Sequence, residues 1–269
     1  MPSDIESVFR QLHHRDSAFV IPNPWDIGSA RILASIGFEA LATTSAGFAF
    51  SRGVKDGGVS RDAVLDHCRE IVGATPLPVS ADLEDGFGES PEEVAETIAV
   101  ADATGLAGGS IEDFTRRADE PIYAFDHAVE RIAAAAETAR KLDRDFVLTA
   151  RAENFLYGRP DLDDTIRRLQ AFEKAGADVL YAPGLTELNQ IRTVCASLSK
   201  PVNVVMGLSG PSFSVAELSE AGVKRISLGS SLARLAYGEL LRAAREVRGD
   251  VSFTFGERAP GSNEITRHF

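Results

Sequence analysis

Short apolar runs alternate with amphipathic stretches along most of the chain. Several stretches with a helical pattern end at a glycine, and a short apolar run follows each within a few residues; these glycines are Gly37, Gly105, Gly176 and Gly222. Glycine favours the left-handed conformation that ends a helix and turns the chain back. Together with four further apolar runs, the pattern predicts strands at residues 19–22, 40–44, 79–82, 108–112, 146–150, 178–181, 202–206 and 225–228.

The order of these elements indicates the fold class. Most strands precede a helical pattern, such as residues 128–141 and 162–174, and the chain has 269 residues. Eight strand–helix units at this length predict a single (β/α)8 barrel of the TIM type. An open doubly wound sheet normally has a glycine-rich loop after its first strand, but residues 22–26 read PNPWD, so the barrel is favoured. We expect a barrel domain at 1–252 and a C-terminal tail at 253–269 that packs on a neighbouring surface or frays.

Charge and composition restrict the classes of partner. The chain has 28 Lys and Arg against 40 Asp and Glu, a net charge of −12. Such a protein repels nucleic acid and anionic membranes, so a small molecule is the expected partner. Cys68 and Cys195 give neither a disulfide framework nor a metal-ligand cluster. Without a transmembrane run or a signal pattern at the N-terminus, we expect a cytoplasmic enzyme.

The segment Asp82-Leu83-Glu84-Asp85-Gly86-Phe87-Gly88 follows an apolar run directly. While the strand persists, the side chains of Asp82 and Glu84 lie on one face. Two neighbouring carboxylates repel each other, and a divalent cation removes the repulsion. Hard oxygen ligands suit Mg²⁺ or Mn²⁺. The alternative is an acidic surface loop that maintains solubility.

Polar residues also follow the other strands. In a barrel, the carboxyl ends of the strands meet at one rim, where chemistry takes place. An acid, an amide or a guanidinium at most of these ends is difficult to explain by solubility alone, and it predicts a metal and anion site. The residues are Trp25, Asp26, Thr44, Ser45, Ala46, Gly47, Asp82, Glu84, Asp85, Glu112, Asp113, Arg151, Glu153, Asn154 and Asn203.

These residues carry a resemblance to the isocitrate lyase and phosphoenolpyruvate mutase superfamily. It extends from about residue 22 to 247, with the motifs in the same order. Each motif is weak alone, whereas the ordered set is specific for the superfamily but not for the reaction. The matching segments are Asn23-Pro24-Trp25-Asp26, Thr44-Ser45-Ala46-Gly47, Val54-Lys55-Asp56-Gly57-Gly58, residues 82–88, Ile111-Glu112-Asp113 and Ala150-Arg151-Ala152-Glu153.

The resemblance implies a role for each site residue. Asp82 is expected to bind Mg²⁺ directly, with Glu84 and Glu112 holding coordinated waters and Asp56 near that shell. It further implies that a 2-oxo or 2-hydroxy acid binds the metal through two oxygens, and that an enolate is stabilised as a C–C or C–P bond breaks. Backbone N–H groups of Ser45, Ala46 and Gly47 are expected to bind a substrate carboxylate and Arg151 the other anionic end, while Trp25 and Asp26 line the pocket. Apart from the resemblance, Asn203 on the seventh strand is a further candidate for substrate binding.

Two departures from the family pattern limit the reaction. The pattern after the third strand is usually Asp-x-Asp-Thr, so either the longer Glu84 or Asp85 completes the metal shell here. Lyases of the isocitrate type carry a Lys-Lys-Cys-Gly-His loop after the fourth strand, whereas residues 115–123 read TRRADEPIY. The usual cysteine acid is missing, which disfavours an isocitrate or methylisocitrate lyase. Cys68 and Cys195 lie on helical patterns and are expected to be small core residues.

A metal-dependent lyase or decarboxylase acting on an oxaloacetate-like acid remains the favoured function, because its enolate can take a proton from water. One alternative is a C–P mutase or hydrolase acting on a phosphonopyruvate-like substrate; Gly57-Gly58 after Asp56 differs from the run found in those members. A non-catalytic oxo-acid binder is the second alternative.

Other polar residues allow two interpretations each. Tyr123 and His127 are either proton donors or residues that pack and start a helix. Arg151 is either an anion ligand or a buried ion-pair partner. Asn203 is either a substrate ligand or an amide that hydrogen-bonds to the backbone within the sheet. His13 and His14 are expected to be solvated. The last helical pattern, residues 230–247, is apolar on one face. The resemblance to the superfamily implies a homo-oligomer, a dimer or a tetramer, in which this helix is exchanged between subunits, although burial on its own sheet explains the pattern equally well.

Overall fold

The computed structural model describes residues 5–207, 210–249 and 251–269. Eight parallel strands form one sheet in the order β1-β8-β7-β6-β5-β4-β3-β2. The seam between β1 and β2 is joined where the Ala42 N–H donates to the Pro22 carbonyl at 3.0 Å, so the sheet curves into a nearly closed (β/α)8 barrel. The strands are β1 Phe19–Ile21, β2 Leu41–Ala42, β3 Val79–Asp82, β4 Gly108–Glu112, β5 Val147–Arg151, β6 Val179–Tyr181, β7 Val202–Val205 and β8 Arg225–Ser227.

Helices surround the barrel and account for the second periodicity in the sequence. Gly37 and Gly176 end α2 and α7 with φ of 101° and 113°, which confirms the left-handed turns predicted there. The helices are α1 Ile5–Leu12, α2 Ile27–Ile36, α3 Ser45–Ser51, α4 Arg61–Ala74, α5 Pro91–Asp102, α6 Phe125–Arg140, α7 Leu162–Ala175, α8 Leu188–Ala196, α9 Val215–Glu220, α10 Ser231–Gly249 and α11 Ser262–Thr266.

A separate apolar cluster closes the amino-terminal end of the barrel. Phe9 and Leu12 of α1 pack there against the first residues of several strands. His13, directly after α1, is only 3% exposed. The expectation that His13 is solvated is therefore wrong, because its ring fits between Phe9 and Phe19 at 4.8 and 5.0 Å; His14 is exposed as expected.

The C-terminal part of the chain differs from an irregular tail. It forms a short 3-10 helix, Thr254–Glu257, before α11. Glu246 of α10 accepts hydrogen bonds from Ser252, Thr254 and Phe255, which fold this part of the chain back onto α10. Several leucines of α10 stay in solvent, and Leu235 is 71% exposed. No helix in the described ranges is both long and apolar enough to cross a bilayer.

Candidate active site

Two connected cavities lie at the carboxyl ends of the strands. The inner cavity, of about 180 Å³, extends into the barrel between Asp82 and Arg225. The outer cavity, of about 420 Å³, lies beneath the loop after β4 and is lined by Glu84, Glu112 and neighbouring side chains. Arg151 lines both cavities. The inner cavity is small, and its size suits a molecule of a few carbon atoms.

Asp82 is the last residue of β3 and lines the inner cavity. Its Oδ2 accepts the backbone N–H of Ser45 at 3.2 Å, and its Oδ1 accepts the backbone N–H of Glu84 at 3.3 Å. Glu84 has a φ of 51°, so the strand has already ended and the same-face prediction for these two residues does not apply. The tight turn still brings the two carboxylates close to each other. As a consequence, the charge of Asp82 is among those that raise the pKa of Glu84.

Arg151 ends β5 and is surrounded by acids. Its guanidinium contacts Glu153 at 2.9 Å, Glu112 at 3.0 Å and Asp82 at 3.1 Å. The ring of Tyr181 lies 5.1 Å from it. Arg151 therefore forms buried ion pairs through each of its nitrogens, and its role as an anion ligand stays a prediction.

Negative charge exceeds positive charge around these cavities. Burial, followed by repulsion from Asp82, raises the pKa of Glu84 to about 8 even though Arg116 lies 2.7 Å away. Burial and the Asp82 charge also raise the pKa of Asp56. Burial raises the pKa of Glu112 well above its usual value against the opposing effect of Arg151. These carboxylates are crowded without enough cationic partners to balance them.

The carboxylates of the two cavities form the donor set for the expected divalent cation. Within the described ranges, no three His, Cys, Asp or Glu side chains are arranged to hold a metal ion directly. An arrangement with Asp82 as the direct ligand and Glu84 and Glu112 acting through water requires no such triplet, and Mg²⁺ usually keeps several waters. The oxygen ligands and the surplus negative charge fit such an ion.

The residues expected to bind the substrate do not all reach the cavities. Ser45 and Ala46 line the inner cavity in the first turn of α3. The Gly47 N–H instead donates to Thr44 Oγ1 at 3.2 Å, within the helix cap. Trp25 lines an apolar groove beside α10, and Asp26 caps α2 through the Ser29 N–H. Neither side chain lines the inner or the outer cavity, because the chain turns outward into α2 directly after β1.

Asn203 and Asp56 lie where the sequence suggested. Asn203 lines the inner cavity, donates to Ser227 Oγ at 3.0 Å and accepts from Arg225 Nε at 2.9 Å. Asp56 lies at the rim that the two cavities share. Tyr123 and His127 do not line either cavity: Tyr123 packs against Arg131.

The loop that replaces the cysteine segment carries a residue that the sequence analysis missed. Arg116 donates to Glu84 at 2.7 Å, to Asp85 at 2.8 Å and to the Gly57 carbonyl at 3.0 Å, so it joins three loops at the mouth. Tyr157, also missed, stacks on Phe114 at 4.0 Å in the outer cavity. The adjacent arginines at 116 and 117, beside so many acids, were the available signal for Arg116.

The two cysteines, Cys68 and Cys195, lie away from the two cavities. Cys68 is fully buried on α4 and Cys195 is half-buried on α8, as expected for small packing residues. Burial raises the pKa of the Cys68 thiol to about 12. Neither cysteine lines the cavities.

Comparisons with known proteins agree with this geometry. The 2-methylisocitrate lyase of Escherichia coli (strain K12) is 31% identical over 225 residues, covering 80% of this chain and 75% of the relative. The oxaloacetate decarboxylase of Pseudomonas fluorescens is 28% identical over 229 residues, 82% and 77% of the two chains. A crystal structure of a candidate lyase/mutase from Burkholderia cenocepacia J2315 has 58% identity and a TM-score of 0.95, covering 98% of this chain and 96% of that chain.

The family model described as phosphoenolpyruvate phosphomutase matches residues 9–248, which is most of the chain. The match includes every strand of the barrel and all the acids around the two cavities. The chain therefore belongs to the phosphoenolpyruvate phosphomutase family, within the PEP mutase/isocitrate lyase superfamily.

Proposed function

We propose that the protein is a Mg²⁺-dependent lyase that breaks a C–C bond of a small 2-oxo or 2-hydroxy acid, with an oxaloacetate-like diacid as the favoured substrate and decarboxylation as the favoured reaction. The observation that carries the proposal is the surplus of carboxylates around the two cavities, of about 180 and 420 Å³, taken together. Two of the relatives, a 2-methylisocitrate lyase and an oxaloacetate decarboxylase, support a reaction at a C–C bond.

In this proposal the chain supplies the site for the ion. Asp82 holds the ion, and Glu84 and Glu112 act through its waters; Mn²⁺ would serve in the same place. When bound, the cation supplies electrostatic stabilisation of the negative charge that develops on the 2-oxo oxygen as the C–C bond breaks. Arg151 keeps Asp82 and Glu112 in place through its contacts at 3.1 and 3.0 Å.

The loop after β4 supports decarboxylation among the possible reactions. Its Arg116 binds the carboxylates of Glu84 and Asp85, where lyases of the isocitrate type have a cysteine acid. A reaction that protonates its product from water needs no such acid, and decarboxylation is of this kind. The phenol of Tyr157 in the outer cavity is the other available proton source, and burial raises its pKa, which keeps it protonated at neutral pH.

A coupled assay of pyruvate formation tests the proposal. We expect turnover of oxaloacetate with Mg²⁺ or Mn²⁺ and none with EDTA. Asp82→Asn should lower kcat/KM by at least about 100-fold, since it removes the charge that holds the ion. Asp66→Asn, at an exposed position of α4, is the matched control and should leave the rate unchanged. Phosphonopyruvate and 2-methylisocitrate belong in the same panel; activity on either without activity on oxaloacetate would refute the proposed reaction.

Binding measurements separate an inactive binder from an enzyme. If oxalate binds only with Mg²⁺ but no acid in the panel is turned over, the barrel is an oxo-acid-binding protein. If Asp82→Asn binds Mg²⁺ as tightly as the wild type in calorimetry, the ligand assignment is wrong. Circular dichroism of both variants should match that of the wild type, because Asp82 lies at a strand end.

A further inference from the structure

Arg225 carries a buried positive charge inside the barrel. It begins β8, is 5% exposed and lines the inner cavity. Its guanidinium donates to Asn203 Oδ1 and to Thr149 Oγ1, both at 2.9 Å. Its third contact is His13 Nε2 at 3.4 Å. Because the other ring nitrogen of His13 lies 2.9 Å from the Phe9 carbonyl and must donate to it, Nε2 is the acceptor and the imidazole is neutral.

All these partners are therefore uncharged. In the parts of the chain that the structure describes, Arg225 pairs with no carboxylate, whereas Arg151 contacts three and Arg116 two. Burial lowers the pKa of Arg225 to about 10, so the group stays charged at neutral pH. A buried charge without a counter-ion is unfavourable, and proteins normally pair it. A guanidinium has five N–H donors, and the three contacts leave capacity for an acceptor.

These observations distinguish the two arginines of the inner cavity. The charge of Arg151 is already balanced, since its guanidinium contacts the carboxylates of Asp82, Glu112 and Glu153. Arg225 has the opposite property: a charge that lacks an anion. We propose that Arg225, together with Asn203 and Ser227, forms an inner carboxylate subsite that receives the second carboxylate of a diacid substrate whose other end lies at Asp82.

The strand register indicates how long a ligand between Asp82 and Arg225 has to be. Asp82 is in register with Ser110, and Ser110 with Thr149, whose hydroxyl contacts the Arg225 guanidinium. Two strand spacings of about 4.8 Å separate Asp82 from Thr149. The three C–C bonds of a four-carbon diacid, about 1.5 Å each, and a charge-assisted hydrogen bond of about 2.8 Å cover most of that distance. A four-carbon diacid fits that span, and a monoacid leaves Arg225 without an anion.

This inference extends the proposed function, on which it depends for the metal-binding end of the ligand. Calorimetry with Mg²⁺ compares malate with lactate, which share the 2-hydroxy carboxylate and differ in the second carboxylate. We expect malate to bind the wild type at least about tenfold more tightly, the effect of one buried charge-assisted pair. Arg225→Met should bring the two affinities within about twofold and leave lactate unchanged. Arg10→Met, which removes a guanidinium already paired with Asp145 and Asp178, should keep the preference.

Formate, a carboxylate without a chelating group, gives a test that needs neither the variant nor the metal. It should raise the Tm of the metal-free wild type above that in chloride at equal ionic strength, and it should compete with malate but not with lactate. A preference for malate that survives in folded Arg225→Met, or the absence of any preference in the wild type, would overturn the subsite. If neither hydroxy acid binds, the proposed function fails, and the formate titration alone then supports or overturns the subsite.

Discussion

Arg131 provides the clearest test of how the loop after β3 is held in place. It lies on α6, is 1% exposed and donates to the carbonyls of Gly88 and Glu89, both at 2.6 Å, and to the carbonyl of Asp85. Its guanidinium also stacks 4.2 Å from the Tyr123 ring. Arg131→Met leaves three carbonyls without these donors, at about 1 kcal/mol or more each. The lost cation–π contact adds about 1–2 kcal/mol, and the methionine restores part of the packing.

We therefore expect the free energy of unfolding to fall by about 3–4 kcal/mol, a large fraction of a typical stability of about 5–15 kcal/mol. Urea unfolding followed by circular dichroism measures the change. Arg140→Met, at the exposed C-terminal end of the same helix, is the matched control and should cost less than about 1 kcal/mol. A loss below about 1 kcal/mol in Arg131→Met would refute the argument that these contacts fix the loop.

Three further predictions concern stability and assembly. Burial holds the pKa of His13 at about 3, below the value of 6.5 in the unfolded chain, so protons bind the unfolded state first as the pH is lowered. The free energy of unfolding should therefore decrease as the pH falls from 6.5 to 3, by up to about 1.4 kcal/mol per pH unit. His13→Gln should flatten a plot of the urea midpoint against pH. A Cβ on Gly108 would lie 2.5 Å from the Val147 carbonyl oxygen, so Gly108→Ala should lower Tm, whereas Gly238→Ala in α10, with nothing within 4 Å, should raise it slightly. We expect light scattering to show a species larger than 28.8 kDa, and Leu235→Glu to shift it towards the monomer, because this 71% exposed leucine needs an apolar partner; a monomeric wild type would contradict this.

The fold followed from local patterns to a large extent. Each of the eight predicted runs overlaps a strand, and differences arise at the ends, as at residues 40–44, where only Leu41–Ala42 pairs. There Thr43 and Thr44 serve the site and the cap of α3 instead: the Thr43 hydroxyl accepts the Asp82 N–H at 2.9 Å. Strand ends depend on such tertiary contacts, which a single sequence does not show.

The candidate site was predictable where position along a strand decides it. Asp82, Glu112 and Arg151 end parallel strands and meet at the mouth, as the barrel rule requires. Arg225 was missed for the same reason, since it starts a strand and reaches the cavity only through the length of its side chain. Trp25 was misplaced because a residue that follows a strand can turn towards a helix as easily as towards the barrel axis.

The apolar cluster at the amino-terminal end of the barrel determines how a ligand can enter and leave the cavities. Phe9 and Leu12 of α1 are 0% and 1% exposed where they close the base, so that end offers no passage. A ligand that enters the cavities must therefore leave through the same opening, past Arg116, which links the three loops at the mouth. Under the proposed function, a keto acid that is leaving the site obstructs the next substrate, and it should therefore inhibit by direct competition.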